Sequence, residues 1–230
     1  MAQLFDQLTQ NPWTLLVSLP QNDINLARAA LEGGAEGLKV HINVEHFASG
    51  TRFGSLAEER NKLVGIVALA QEFGASVGIV PGSGGNFASR QDFAELASIG
   101  IDYFDAYPGD APAWVFDQTD LDIMMAAFHG GNMDEFLEFQ NLGMTLCEAS
   151  ILPHEEYGKP LTALDLARYC NLVDFLDVPV IVPSQKLITP ADVPALQKTG
   201  VAGLLIGAIV TGREAASLEA ATRAFSGRTA

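Results

Sequence analysis

The sequence predicts an α/β protein built as a single (β/α)8 TIM barrel over residues 1–230. Three observations carry this expectation. Short apolar runs alternate eight times with longer amphipathic segments, the signature of a parallel sheet whose strands are joined by helical crossovers. Glycines at Gly33-Gly34, Gly74, Gly100, Gly143 and Gly200 close helical segments just before the next apolar run. Such glycines fit the left-handed cap that a sharp helix-to-strand turn needs. Eight units in 230 residues also match the size of a closed barrel. The rival, an open doubly wound sheet, wants Gly-x-Gly-x-x-Gly after the first strand, and that pattern is missing there.

The eight candidate strands are 14–19, 37–43, 75–80, 101–107, 121–128, 144–151, 178–182 and 201–206. Most are aliphatic or β-branched and too short for helices. Between them, 23–32 sets Ile24, Ala27 and Leu31 on one stripe, with Asn22 or Asp23 as N-cap. Segments 55–73 and 90–98 behave similarly. Thr189-Pro190 marks a helix start, with Thr as cap and Pro in the first turn.

Composition narrows the function classes. At 48% hydrophobic and 18% charged, the chain can bury one sizeable core. A net charge of −15 opposes nucleic acid and anionic membranes as partners. Cys147 and Cys170 have neither metal-ligand spacing nor a disulfide framework. The opening MAQLFDQLTQNPW has no basic stretch leading into an apolar one, so no signal peptide is expected. No apolar run reaches membrane-spanning length. A soluble cytoplasmic chain is expected, with no metal and no cofactor; pairing into a homodimer stays open.

In such a barrel, function sits at the C-terminal ends of the strands. Strand two alternates Leu38, Val40, Ile42 with Lys39, His41, Asn43; the polar set is expected to point inward. Strand four puts Tyr103, Asp105 and Tyr107 on one parity, and strand six does the same with Leu146, Glu148 and Ser150. A lysine inside a barrel needs partners, and Asp105 and Glu148 supply them. Lys39, His41, Asp105 and Glu148 are therefore the candidate catalytic set. Buried lysine–carboxylate groups transfer protons, and a lysine with depressed pKa forms a Schiff base. The plain alternative is an ion pair that only satisfies the interior. Cys147 is expected as a small core residue.

Long loops come after several strands. HFASGTRFGS at 46–55 offers Arg52 as an anion contact from a lid, and PGSGGNFAS at 81–89 is rich in glycine. Trp114 is expected to hold down the segment 107–120. His154 and Glu155 are adjacent and lack a metal-ligand pattern. Strand eight ends at Gly207-Ala208 and runs at once into a helical pattern, while strand seven ends in Pro183-Ser184-Gln185-Lys186. Loops seven and eight and a helix N-terminus commonly hold phosphate in barrels. Ser184, Gln185, Lys186, Gly207 and Ala208 are thus the expected phosphate site for a small phosphorylated substrate.

Three stretches, ARAALEGGAEGLKV (27–40), YFDAY (103–107) and PVIVPSQKLITPADVPALQKTGVAGLLIGAIVTG (179–212), resemble the ribulose-phosphate-binding barrel superfamily. That group includes N-acetylmannosamine-6-phosphate epimerases and thiamine phosphate synthases. The resemblance implies a barrel with a phosphate site in its last segment, and Asp105 matches the epimerases' strand-four aspartate. The chain departs from the epimerases at Pro81, where they carry lysine, and at Pro183-Ser184, where they carry Glu-Gly. LLVSLP, EGGA and Gly54-Ser55-Leu56 also resemble archaeal furan-phosphate synthases, whose strand-two Schiff-base lysine aligns nearer His41 than Lys39. Two functions are therefore expected. One is a lyase, isomerase or aldolase-like enzyme acting on a small phosphorylated carbon compound. The other is a barrel that has lost catalysis and binds a phosphometabolite as a regulatory or partner protein.

Overall fold

Residues 3–227 are described by a computed structural model; of the range 1–230 expected for the domain, 1, 2 and 228–230 lie outside the described residues. Eight parallel strands close into a barrel: Thr14–Ser18, Gly37–His41, Ser76–Val80, Tyr103–Ala106, Asp122–Phe128, Leu146–Ser150, Val180–Pro183 and Gly203–Ile206. Each pairs with its neighbour in the chain, and the first closes onto the eighth, with Leu16 opposite Leu205. All eight apolar runs are strands. Most are a residue or two shorter than the runs, while the seventh begins later and extends to Pro183. Asn43 was expected to continue the inward row of strand two. Instead it adopts φ 55°, and its side-chain amide donates to the Pro81 carbonyl at 3.3 Å.

The helices are α1 (Gln3–Gln10), α2 (Ile24–Gly33), α3 (Leu56–Phe73), α4 (Arg90–Ser98), α5 (Met133–Asn141), α6 (Ala163–Phe175), α7 (Val193–Gln197), α8 (Ala208–Thr211) and α9 (Ala215–Ser226). Asp23 caps α2 by accepting from the Asn25 and Leu26 amides, and Gly34 ends it at φ 104°. Thr189 and Asp192 form a capping box ahead of α7. The fourth crossover departs from the expected alternation. It holds only a 3₁₀ turn, Ala113–Phe116. Pro108 and Pro112 interrupt helical hydrogen bonding there, and Trp114 fills the space, 5.0 Å from the Phe93 ring and under the Arg90 guanidinium.

Two apolar layers result. Leu38, Val40 and Ile42 face outward into the main core beneath the helices. Inside the barrel lie Leu16, Tyr103, Met124, Leu146, Ile181 and Leu205, met by Leu4 and Leu8 of α1. Helix α1 therefore plugs the N-terminal mouth. Gly78 is needed here: a Cβ on it would lie 1.9 Å from the Tyr103 ring. That ring lies in the apolar layer inside the barrel, beneath the strand-four Asp105. Among the described residues, no helix is long and apolar enough to cross a membrane.

Candidate functional site

At the C-terminal ends of the strands the barrel opens into a cavity of about 290 Å³. Its base is a charged triad. Lys39 Nζ donates to Asp105 Oδ2 at 2.7 Å and to Glu148 Oε2. The three residues come from the second, fourth and sixth strands, and all are buried. Burial opposes the Lys39 charge, yet the two carboxylates outweigh it and raise its pKa, so the side chain is held as ammonium. Burial and the Asp105 charge push Glu148 up to about 8, against the pull of Lys39. One ammonium between two carboxyl groups leaves the triad able to hold or release a proton near neutrality.

His41 stands beside this triad, 1% exposed. Asn22 pins its backbone, donating to the His41 carbonyl at 2.7 Å and accepting from its amide at 3.2 Å. Phe53 stacks on its ring at 4.7 Å, and His46 lies at 4.6 Å. Burial first, then the charges of His46 and Lys39, lower the His41 pKa well below its ordinary value. Burial and Lys39 likewise push His46 down to about 4. Both rings are neutral at physiological pH.

His46 and Phe53 belong to a small hairpin, Val44–His46 against Thr51–Phe53. Phe53 turns inward onto His41, so its neighbour Arg52 points away. Arg52 is exposed and does not line the cavity, contrary to its expected lid role. Phe47, at the hairpin tip, stacks on His154 at 4.2 Å and meets Tyr157 edge-on. The loops after strands two and six thus touch across the cavity mouth.

Ser184, Gln185, Gly207 and Ala208 line the cavity; Lys186 does not. Ser184 Oγ accepts from the Gly207 amide at 2.8 Å, which leaves the hydroxyl proton free to donate. In α8 the helical bonds begin with the Val210 and Thr211 amides on the Gly207 carbonyl, so the Ala208 and Ile209 amides precede them. Gln185 is spent on bracing: it bonds Tyr157 Oη at 2.7 Å, Ser150 Oγ at 3.1 Å and both backbone groups of Leu152. Tyr107 Oη completes this chain on Ser150 at 2.7 Å. Lys186 is 2% exposed, 2.8 Å from Glu156 and 3.4 Å from Asp165. The expected phosphate cation is instead a buried tie beneath the sixth loop, because two carboxylates claim its charge. Cys147 is fully buried core, its thiol pushed up by burial.

No family model matches the chain, and neither does any curated protein. Solved structures do match. Thiamine phosphate pyrophosphorylase from Pyrococcus furiosus aligns at TM-score 0.68 and 20% identity, over 94% of this chain and 95% of that one. Tryptophan synthase from M. tuberculosis aligns at TM-score 0.71 and 14% identity, over 97% and 95%. A native KDPGal structure aligns at TM-score 0.63 and 14% identity, over 92% and 91%. The chain shares their (β/α)8 barrel fold. At such identities the likeness is one of architecture, and function rests on the cavity.

Sequence reasoning passed over Ser18, His46, Phe47 and Tyr157, all of which line the cavity. Ser18 had a legible signal: it ends the first strand on the parity of Leu16, which faces the interior. The hairpin residues had none, because three-residue strands are too short for a period to appear.

Proposed function

We propose that the protein is an enzyme of the isomerase or lyase kind that moves a proton on a small phosphorylated carbon compound. The observation that carries this reading is the Lys39–Asp105–Glu148 triad, buried at the floor of an open cavity. Glu148, its pKa near 8, takes a proton from carbon next to a carbonyl and returns it. The Lys39 ammonium faces the oxygen on which negative charge develops. Asp105 holds Lys39 in place and keeps Glu148 basic. Returning the proton at another position gives an isomer; expelling a β-substituent from the enolate gives a lyase. Because its partners hold Lys39 as ammonium, the electrostatic role is favoured over imine formation.

The phosphate would sit where strand eight meets α8, on the Ser184 hydroxyl and the Ala208 and Ile209 amides. Gly207 supports this placement: a Cβ there would come no nearer than 3.6 Å to Ser18, so the approach is open. One fold neighbour, thiamine phosphate pyrophosphorylase, is named for a phosphorylated compound, which points the same way. Aldose and ketose phosphates in deuterated buffer provide the test, with NMR following exchange of the C–H beside the carbonyl. The wild type should exchange one of them, and Lys39→Met and Glu148→Gln should each slow exchange by about 100-fold or more. Full exchange in both variants sinks the assignment. Binding without exchange would make the chain a phosphometabolite-binding barrel that does no chemistry.

A further inference from the structure

Buried polar atoms in folded proteins nearly always find a hydrogen-bond partner, so those that do not point to something that binds there. Among the described residues, eight buried side-chain atoms have no partner, and four of them belong to three residues around the cavity. They are Ser18 Oγ, His41 Nδ1 and Nε2, and Asp105 Oδ1. The three residues are 6%, 1% and 2% exposed. Solvent does not reach these atoms, so their bonds wait for a ligand; the His46 ring lies tilted against His41 at 4.6 Å.

Their chemistry specifies what they accept. A neutral imidazole offers one donor and one acceptor, and a serine hydroxyl one donor and two acceptor lone pairs. Asp105 Oδ1 only accepts. A ligand hydroxyl, which both donates and accepts, satisfies all three kinds of site; a carbonyl satisfies the donors. A carboxylate satisfies none of the acceptors and would meet the charge of Asp105, and of Asp110 at the cavity wall. Lys39 already has both carboxylates on it.

We infer that the reacting end of the substrate is a neutral hydroxycarbonyl chain, gripped by Ser18 and His41, and that substrates carrying a carboxylate at that end are refused. This rests on the reading of the cavity as the substrate site, and names the substrate class within it.

The test is calorimetric binding to the full chain of four probes: dihydroxyacetone phosphate, unphosphorylated dihydroxyacetone, propyl phosphate and 3-phosphoglycerate. Each is run on the wild type, Ser18→Ala and His41→Phe. The ketose phosphate should bind about tenfold or more tighter than propyl phosphate or 3-phosphoglycerate, as two added hydrogen bonds imply. That preference should shrink towards parity in both variants. Ligand-free Ser18→Ala should melt no lower than the wild type, since it deletes an orphaned hydroxyl; it keeps the experiment readable should Phe overpack position 41. Equal binding of dihydroxyacetone phosphate and propyl phosphate, or of 3-phosphoglycerate, would overturn the inference while leaving the phosphate site standing. Dihydroxyacetone binding alike with and without phosphate, and weakened in both variants, would uphold it and remove the phosphate from the proposed function. Failure of all four to bind would overturn it.

Discussion

Glu148 carries a charge that the fold makes expensive, and its titration should be visible in stability. Unfolded, its carboxyl gives up its proton near pH 4.3; folded, it keeps it until about 8. Between those values the native state binds the extra proton, so stability falls as pH rises through the window and levels off above it. Glu148→Gln cannot titrate and should lose this slope. Melting curves at steps from about pH 5 to about pH 8 should show the wild type losing ground steadily relative to the variant; parallel curves would mean that Glu148 is ionised throughout. Lys39, Asp105 and Glu148 were legible in the sequence because strand parity aims them inward and a buried lysine demands carboxylates. The role of Lys186 was not. Strand parity says nothing of a loop residue, and the carboxylates that hold it, Glu156 and Asp165, lie 30 and 21 positions away in the chain.

The eight strands were legible as elements because each apolar run is bounded by glycine, proline or a charged helix. The connections between strands were less so. The fourth crossover kept the spacing of a helical unit without forming an α-helix, and the glycine-rich loops at 46–55 and 81–89 hold short antiparallel pairs. Tertiary contacts, with Phe53 on His41, fix such hairpins more than local propensity does. The sixth loop depends on the tie beneath it. Removing Lys186 leaves Asp165, with its side chain 3% exposed, to the exposed Arg168 at 3.5 Å and the cap bonds from Thr162. Lys186→Met should therefore destabilise the protein by about 1–3 kcal/mol in urea unfolding. Affinity for inorganic phosphate, measured under conditions where the variant stays folded, should be unchanged. Loss of phosphate affinity with stability intact would restore the direct phosphate contact that the sequence alone suggested.

At the scale of the whole molecule, the barrel is sealed at one end and open at the other, and the two ends have separate chemistries. The open end holds the triad and the unpartnered polar atoms of Ser18, His41 and Asp105. The sealed end is apolar: Leu4 and Leu8 of α1 close over Leu16, Met124, Leu146 and Ile181. Gln7 ties the helix to the Glu36 carbonyl at 3.0 Å, at the start of strand two. In the sequence this segment does not stand out, because eight residues with two core leucines carry too little period to declare a plug. Leu4 is fully buried, so Leu4→Ala opens a cavity against the barrel interior and should lower unfolding free energy by about 2–5 kcal/mol. The Tyr103 ring stands between that end and the triad, so ligand affinity at the open mouth should barely move while the variant remains folded. Urea unfolding and calorimetry on the same preparation separate the two effects. A change below about 0.5 kcal/mol, the size of a surface substitution, would mean that α1 is not the closure. A parallel loss of ligand affinity would mean that the two mouths are coupled through the barrel core.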